Sequence, residues 1–236
     1  MADQTVAHIL TEGAMEVHGR IAGSSNATLL VTCRLGGDEL LAVYKPHQGE
    51  RPLWDFPGGL YRREVAAYVL SEVLGWGLVP ETVQRDEGPF GCGSVQRYVP
   101  EDGTSHYFTL RDDLQWHPTL IRLCAFDVAA NNADRKSGHV LLAEDRLWAI
   151  DNGLCFNEDD KLRTVIWDFG GEPLTAEDTA ALQSYADADP PAELRALLTP
   201  AELDALGQRV AWLLRHQALP ELVDDGGWPP YPWPLV

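Results

Sequence analysis

The chain has 236 residues, 45% hydrophobic and 23% charged, the balance of an ordinary globular protein with enough apolar mass for one domain or two small lobes. Its 36 acidic residues against 18 basic ones give a formal net charge of -18, which opposes adsorption to DNA, RNA or an anionic bilayer. The statement concerns the exterior, since a small basic pocket can still hold a phosphate.

No apolar run reaches the roughly 18 residues of a membrane span. The start, MADQTVAHIL, has no basic segment followed by a sustained apolar one, so no signal peptide is expected. Cys33, Cys92, Cys124 and Cys155 are too scattered for a zinc pattern and read as unpaired thiols of a reducing compartment. A soluble cytoplasmic protein is the expectation.

In chain order, the first third reads as strands around one helix. Met15 to Ile21 and Ala27 to Leu35 are extended runs joined by the Gly/Ser-rich GRIAGSSNAT, and DELLAVYKP is a third, closed by Pro46, which cannot extend a ladder. A Gly- and Pro-rich loop follows. YRREVAAYVLSEVLGWG is predicted helical from the stripe Val65, Ala66, Val69, Leu70, Val73, Leu74, with Gly75 placed to end it. LVPETVQ and FGCGSVQRYVP are further strand candidates.

Beyond Tyr98 the pattern turns helical. A helix is predicted after Pro118, running towards Asn131 and Asn132. Two more are announced by Thr175 with Asp178 and Thr199 with Glu202, a hydroxyl N-cap followed by an acid three residues on. The Pro- and Trp-rich tail, DDGGWPPYPWPLV, is expected to dock on the body through its aromatics. The whole is α+β: a strand-rich unit over residues 1–97, a mostly helical one over 98–236, and a cleft between them.

The most informative stretch is NNADRKSGHVLLAEDRLWAIDNG. Val140 to Leu142 and Leu147 to Ile150 form a hairpin turning at Glu144 and Asp145. Asp134 then lies just before the first strand and Asp151 just after the second, so the two carboxylates are neighbours. Clustered carboxylates are costly without a cation between them, and hard oxygen donors with an Asn such as Asn132 nearby suit Mg²⁺. Upstream, Lys45 ends an apolar strand, Glu64 opens the first strong helix, and Ser24, Ser25 and Asn26 lie in a turn where backbone N–H groups can approach phosphates.

These parts occur in one recognisable order. YKP…REVAAYVLSEVLGWGLVPET…NNADR…AIDNGLCF resembles the phosphatidylinositol 3- and 4-kinase superfamily, most closely the type II phosphatidylinositol 4-kinases and small bacterial proteins grouped with them, and more distantly HipA-like protein kinases. The resemblance covers roughly residues 15 to 157 and implies a bilobal protein-kinase-like fold and an ATP- and Mg²⁺- or Mn²⁺-dependent phosphotransferase. It gives Asp134 the catalytic role, with Arg135 following it as in the family. It gives Lys45 the phosphates, Glu64 the positioning of Lys45, and Asp151 the metal. Ser24, Ser25, Asn26 and Tyr98 complete the expected nucleotide site.

This chain departs from the family in placing His139 where an Asn usually binds metal; imidazole suits softer ions than Mg²⁺. His139 and Asn132 join Asp151 as candidate ligands. The Cys-rich membrane-anchoring insertion of the type II lipid kinases is absent between Pro46 and Glu64. The expected acceptor is therefore a soluble hydroxyl-bearing small molecule or protein, with no nucleic-acid partner and no stable membrane association. A nucleotide-binding pseudokinase, a true phosphatidylinositol kinase and a metal-dependent hydrolase stay open as alternatives. Each residue alone also has a plain structural reading: a solvated strand-end Lys45, a surface Glu64, a hydrogen-bonded core His139, a turn-closing Asp151.

Overall fold

The computed structural model describes residues 2–21, 26–101, 103–222 and 230–235; Ser24 and Ser25 lie outside them. The chain opens with helix α1 (Ala2–Glu12). Five strands follow, β1 (Ala14–Arg20), β2 (Leu29–Leu35), β3 (Asp38–Pro46), β4 (Thr82–Arg85) and β5 (Gly93–Arg97), with helix α2 (Leu60–Val73) between β3 and β4. They form an antiparallel sheet in the order β1-β2-β3-β5-β4. β2 and β3 pair without interruption from Leu29↔Tyr44 to Leu35↔Asp38, close to the runs read from the sequence.

Helix α1 is an addition, because the sequence reading placed one helix in this part. Its Val6, Ile9 and Leu10 are spaced i, i+3, i+4, the apolar stripe of a surface helix. Ile9 and Leu10 are buried with Val31, Cys33, Ala42, Tyr44 and Val95 in a small core of their own. α2 ends as expected: Gly75 adopts φ 66°, and the amide of Trp76 donates to the carbonyl of Ser71 at 3.0 Å, a glycine-dependent helix stop.

The second part contains α3 (Tyr107–Leu110), α4 (His117–Ala130), strands β6 (Val140–Ala143) and β7 (Arg146–Ala149), then α5 (Ala176–Ala186), α6 (Ala192–Leu197) and α7 (Pro200–His216). The larger core joins α2, α4, the β6–β7 hairpin and the C-terminal helices through Leu70, Leu123, Phe126, Leu147, Phe156, Leu206 and Val210. Both predicted N-caps form: Thr175 accepts from the Asp178 amide at 3.0 Å, and Thr199 and Glu202 make a reciprocal capping box. An α+β architecture, sheet first and helices after, is thus established.

Two links fix the hairpin against the sheet. Arg97, the last residue of β5, pairs with Glu81 at 2.6 Å and with Glu144 of the hairpin turn at 2.8 Å. Its guanidinium also lies 4.7 Å from the Trp148 ring centroid, a favourable cation–π distance. The described part of the tail docks by its backbone, with the carbonyl of Pro230 accepting from Thr164 and Trp167, and that of Leu235 from the Ser137 amide. The described aromatics do not anchor it: Tyr231 and Trp233 are exposed, and Trp228 lies outside the described residues.

Candidate active site

The β6–β7 hairpin has the predicted form. Val140 pairs with Ala149 and Ala143 with Arg146. Glu144 and Asp145 both have φ 55°, as a two-residue turn of this hand requires. Asp134 precedes it and Asp151 follows it, and both line one cavity of about 270 Å³ together with Asn26, Lys45, Glu64 and Gly153. Residues 106 positions apart in sequence thereby meet: the Lys45 ammonium donates to Asp151 Oδ1 at 2.8 Å and is ion-paired with Glu64.

Glu64 is buried and is therefore not the surface residue of its plain structural reading. Its Oε2 accepts from the Asn152 amide at 3.0 Å. A Cβ on Gly153 would stand 3.2 Å from Glu64 Oε1, so glycine there lets α2 approach the loop. Burial pulls the Lys45 pKa down, but the charges of Asp151 and Glu64 reverse this and hold it above the ordinary lysine value. The same Lys45 charge, against burial, holds Asp151 well below the usual carboxylate range. Burial raises Glu64, with Lys45 opposing.

Asp134 differs. Burial pushes its pKa up to about 6, although Lys136, 3.1 Å away, pulls against it. A carboxylate so tuned is ionised at neutral pH yet basic enough to accept a proton. His139 Nε2 lies 3.4 Å from Asp151 Oδ2, and burial lowers its pKa to about 4, leaving a neutral imidazole.

Three expected site residues have other positions. Arg135 is buried with no exposure and cannot touch a ligand in the cleft. Its guanidinium binds Asp127 of α4 at 3.0 to 3.1 Å, the Ile150 carbonyl at 2.7 Å and Asn152 Oδ1 at 2.7 Å. Asn132, expected among the metal ligands, is also fully buried: its Oδ1 accepts from the Asp134 amide at 2.9 Å and its Nδ2 donates to Asp127 at 3.2 Å. Both amide ends are committed to holding the loop, so Asn132 is corrected to a supporting residue. Tyr98 does not line the cavity; its amide donates to the Leu41 carbonyl at 3.0 Å.

Asp127 and Asn152 are the residues that the sequence reading missed. Asp127 is an acid inside the apolar run LCAFDVAA, and that setting is the signal for a buried partner. Together they build a continuous path from Asp127 through Arg135 and Asn152 to Glu64 and Lys45, tying the helical part to the sheet. Among the described residues no group of three His, Cys, Asp or Glu side chains converges on a metal position. Asp151 and His139 are neighbouring donors, and Asp134 lines the same cavity as Asp151; an ion held by so few protein groups takes most of its ligands from phosphate and water.

Similar folds occur among kinases. The chain superposes on a Golgi casein kinase with Mn/ADP bound (TM-score 0.61, 16% identity, 91% of this chain and 75% of that one). It also matches hydra Fam20 with sugar (0.57, 14%, 90% and 87%) and the Helicobacter pylori proinflammatory kinase CtkA (0.51, 10%, 89% and 94%). The fold is protein-kinase-like. In sequence the chain is 38% identical to Protein Rv2133c of Mycobacterium tuberculosis (strain ATCC 25618 / H37Rv), covering 96% of this chain and 94% of that protein, and it belongs to that protein's family. No protein-family model matches the chain.

Proposed function

We propose that this protein is an ATP- and divalent-metal-dependent phosphotransferase acting on a hydroxyl of a soluble small molecule or protein. The observation that carries the reading is the convergence of Lys45, Glu64, Asp134 and Asp151 on one cavity. Lys45, oriented by Glu64, faces the phosphates; Asp134 accepts the acceptor's hydroxyl proton; Asp151, with His139 beside it, is placed to hold a metal. A bound divalent ion supplies charge neutralisation at the phosphates. The two parts of the chain act as lobes that meet near Tyr98. Support for nucleotide and metal comes from the fold shared with a kinase whose structure holds Mn and ADP.

The phosphatidylinositol-kinase resemblance bears on architecture, while the excess of acidic residues favours a soluble acceptor. The four thiols are unpaired, which supports a cytoplasmic location. A second reading, a nucleotide-binding pseudokinase, is favoured by one observation, the position of His139 against Asp151 in place of the family's Asn.

The test uses the full chain with ATP and either Mg²⁺ or Mn²⁺. Asp151→Asn is expected to impair metal-dependent ATP binding. Asp134→Asn should keep ATP binding and lose turnover by about 10² or more, the scale of a positioned general base. Wild-type binding without any turnover would select the pseudokinase; no binding at all would overturn both readings.

A further inference from the structure

The loop between β3 and α2 carries a cation that neither the fold nor the motif order explains. Residues 47–51 lie directly on the turn at 26–28: the Ala27 amide donates to the Gly49 carbonyl at 3.0 Å, and the Arg51 amide donates to Asn26 Oδ1 at 3.0 Å. A Cβ on Gly49 would sit 2.4 Å from Ala27 Cβ, so glycine is what permits the contact. On the other side Glu50 caps α2, its carboxylate accepting from the Gly59 and Tyr61 amides at 2.8 and 2.9 Å. The backbone at Arg51 is therefore held from both directions.

Arg51 lines the same cavity as Lys45, Asp134 and Asp151. Among the described residues its guanidinium has no ion pair or side-chain hydrogen bond. Its neighbour Glu50 does not neutralise it, being committed to the helix N-terminus and to His47 at 3.0 Å. Lys45, the other cation of the cavity, is already held between two carboxylates. The basic and acidic side chains of the lining are Lys45 and Arg51 against Glu50, Glu64, Asp134 and Asp151, an excess of acids that disfavours a polyanion. A divalent ion would offset part of this charge, and an unpaired guanidinium on the cavity wall adds a cation of the shape best suited to grip two phosphate oxygens.

We infer that Arg51 is a second phosphate-binding cation of the cleft, contacting the polyphosphate of the nucleotide from the β3–α2 loop. This rests on the phosphotransferase reading, and it assigns to the loop a role in binding as well as in connecting strand to helix.

The experiment is titration calorimetry of the full chain with ATP, ADP and adenosine in the presence of Mn²⁺, for wild type, Arg51→Ala and Arg51→Lys. Arg51→Ala should weaken ATP by roughly 10-fold or more, as loss of a charge-assisted hydrogen bond does. ADP should be weakened less or equally and adenosine hardly at all, with Arg51→Lys recovering part of the loss. Melting of the unliganded variants should match wild type, since the side chain holds nothing in the fold. ATP affinity equal in wild type and Arg51→Ala would overturn the inference and leave the phosphotransferase reading standing. A uniform loss for all three ligands would overturn it too, as a distortion of the loop. Wild type unable to bind ATP would remove the reading on which it rests.

Discussion

Asp134 connects a titration to a stability. Its folded pKa of about 6 exceeds the ordinary aspartate value, so the folded chain binds the proton more tightly than the unfolded one does. The resulting stabilisation is full below the ordinary aspartate pKa and is lost as pH rises through about 6. At pH 8 the ionised, largely buried carboxylate is a net cost that Asp134→Asn removes. The expected result is a variant whose melting temperature, relative to wild type, is higher at pH 8 than at pH 4.5. Turnover should move the opposite way, falling in wild type as pH drops through about 6, because a protonated Asp134 cannot take the acceptor's proton. A melting difference independent of pH would show that Asp134 titrates like a solvated carboxylate. Positions of this kind were legible in the sequence and orientations were not. The order Lys45, Glu64, Asp134, Asp151 picked out four residues that line one cavity, but nothing local to NNADR announces that Arg135 and Asn132 turn inward. That is decided by Asp127, on the preceding helix, and by Asn152, on the far side of the hairpin.

Secondary-structure elements were legible where their determinants are local. The hairpin is set by its turn and its two short apolar strands, and α5 and α7 by their N-caps. Helix α1 escaped because only Val6, Ile9 and Leu10 carry its apolar face, and that face has meaning only once the sheet it covers exists. The joining of elements is likewise non-local, and the clearest case is Arg63 of α2 against Glu202 of α7, a buried ion pair. Glu202 has two tasks: one oxygen meets Arg63, while the other accepts from the Thr199 amide at 2.8 Å in the capping box. Removing one partner strands a buried charge, which costs about 3–5 kcal/mol, and loss of the cap adds about 1 kcal/mol. Glu202→Ala should therefore destabilise markedly in urea. Glu202→Gln, which can still accept from Thr199, should do so less, and Arg63→Met combined with Glu202→Ala should be milder than the two separate losses added together. Additive effects would mean that the pair does not couple the helices.

At the scale of the whole molecule the surface argues about the acceptor. A kinase that phosphorylates a bilayer lipid must bring its cleft to an anionic interface, where each Lys or Arg near the surface contributes roughly 1 kcal/mol of attraction. This chain has 36 acidic residues against 18 basic ones, and two of the cations, Arg63 and Arg135, are withdrawn from the surface. Among the described residues no helix is long and apolar enough to cross a membrane. Trp233 and Tyr231 are exposed apolar groups of the tail, and the tail that bears them follows Asp224 and Asp225 in sequence, charges that an anionic leaflet repels. Co-sedimentation with phosphatidylinositol vesicles at physiological salt should accordingly leave the protein in the supernatant. With ATP and Mn²⁺ no labelled lipid should form, while the same preparation should consume ATP once a soluble hydroxyl acceptor is present. Labelled lipid together with vesicle binding would replace the soluble-acceptor reading by that of a phosphatidylinositol kinase. Vesicle binding without labelling would separate attachment from acceptor choice and assign the tail to the former.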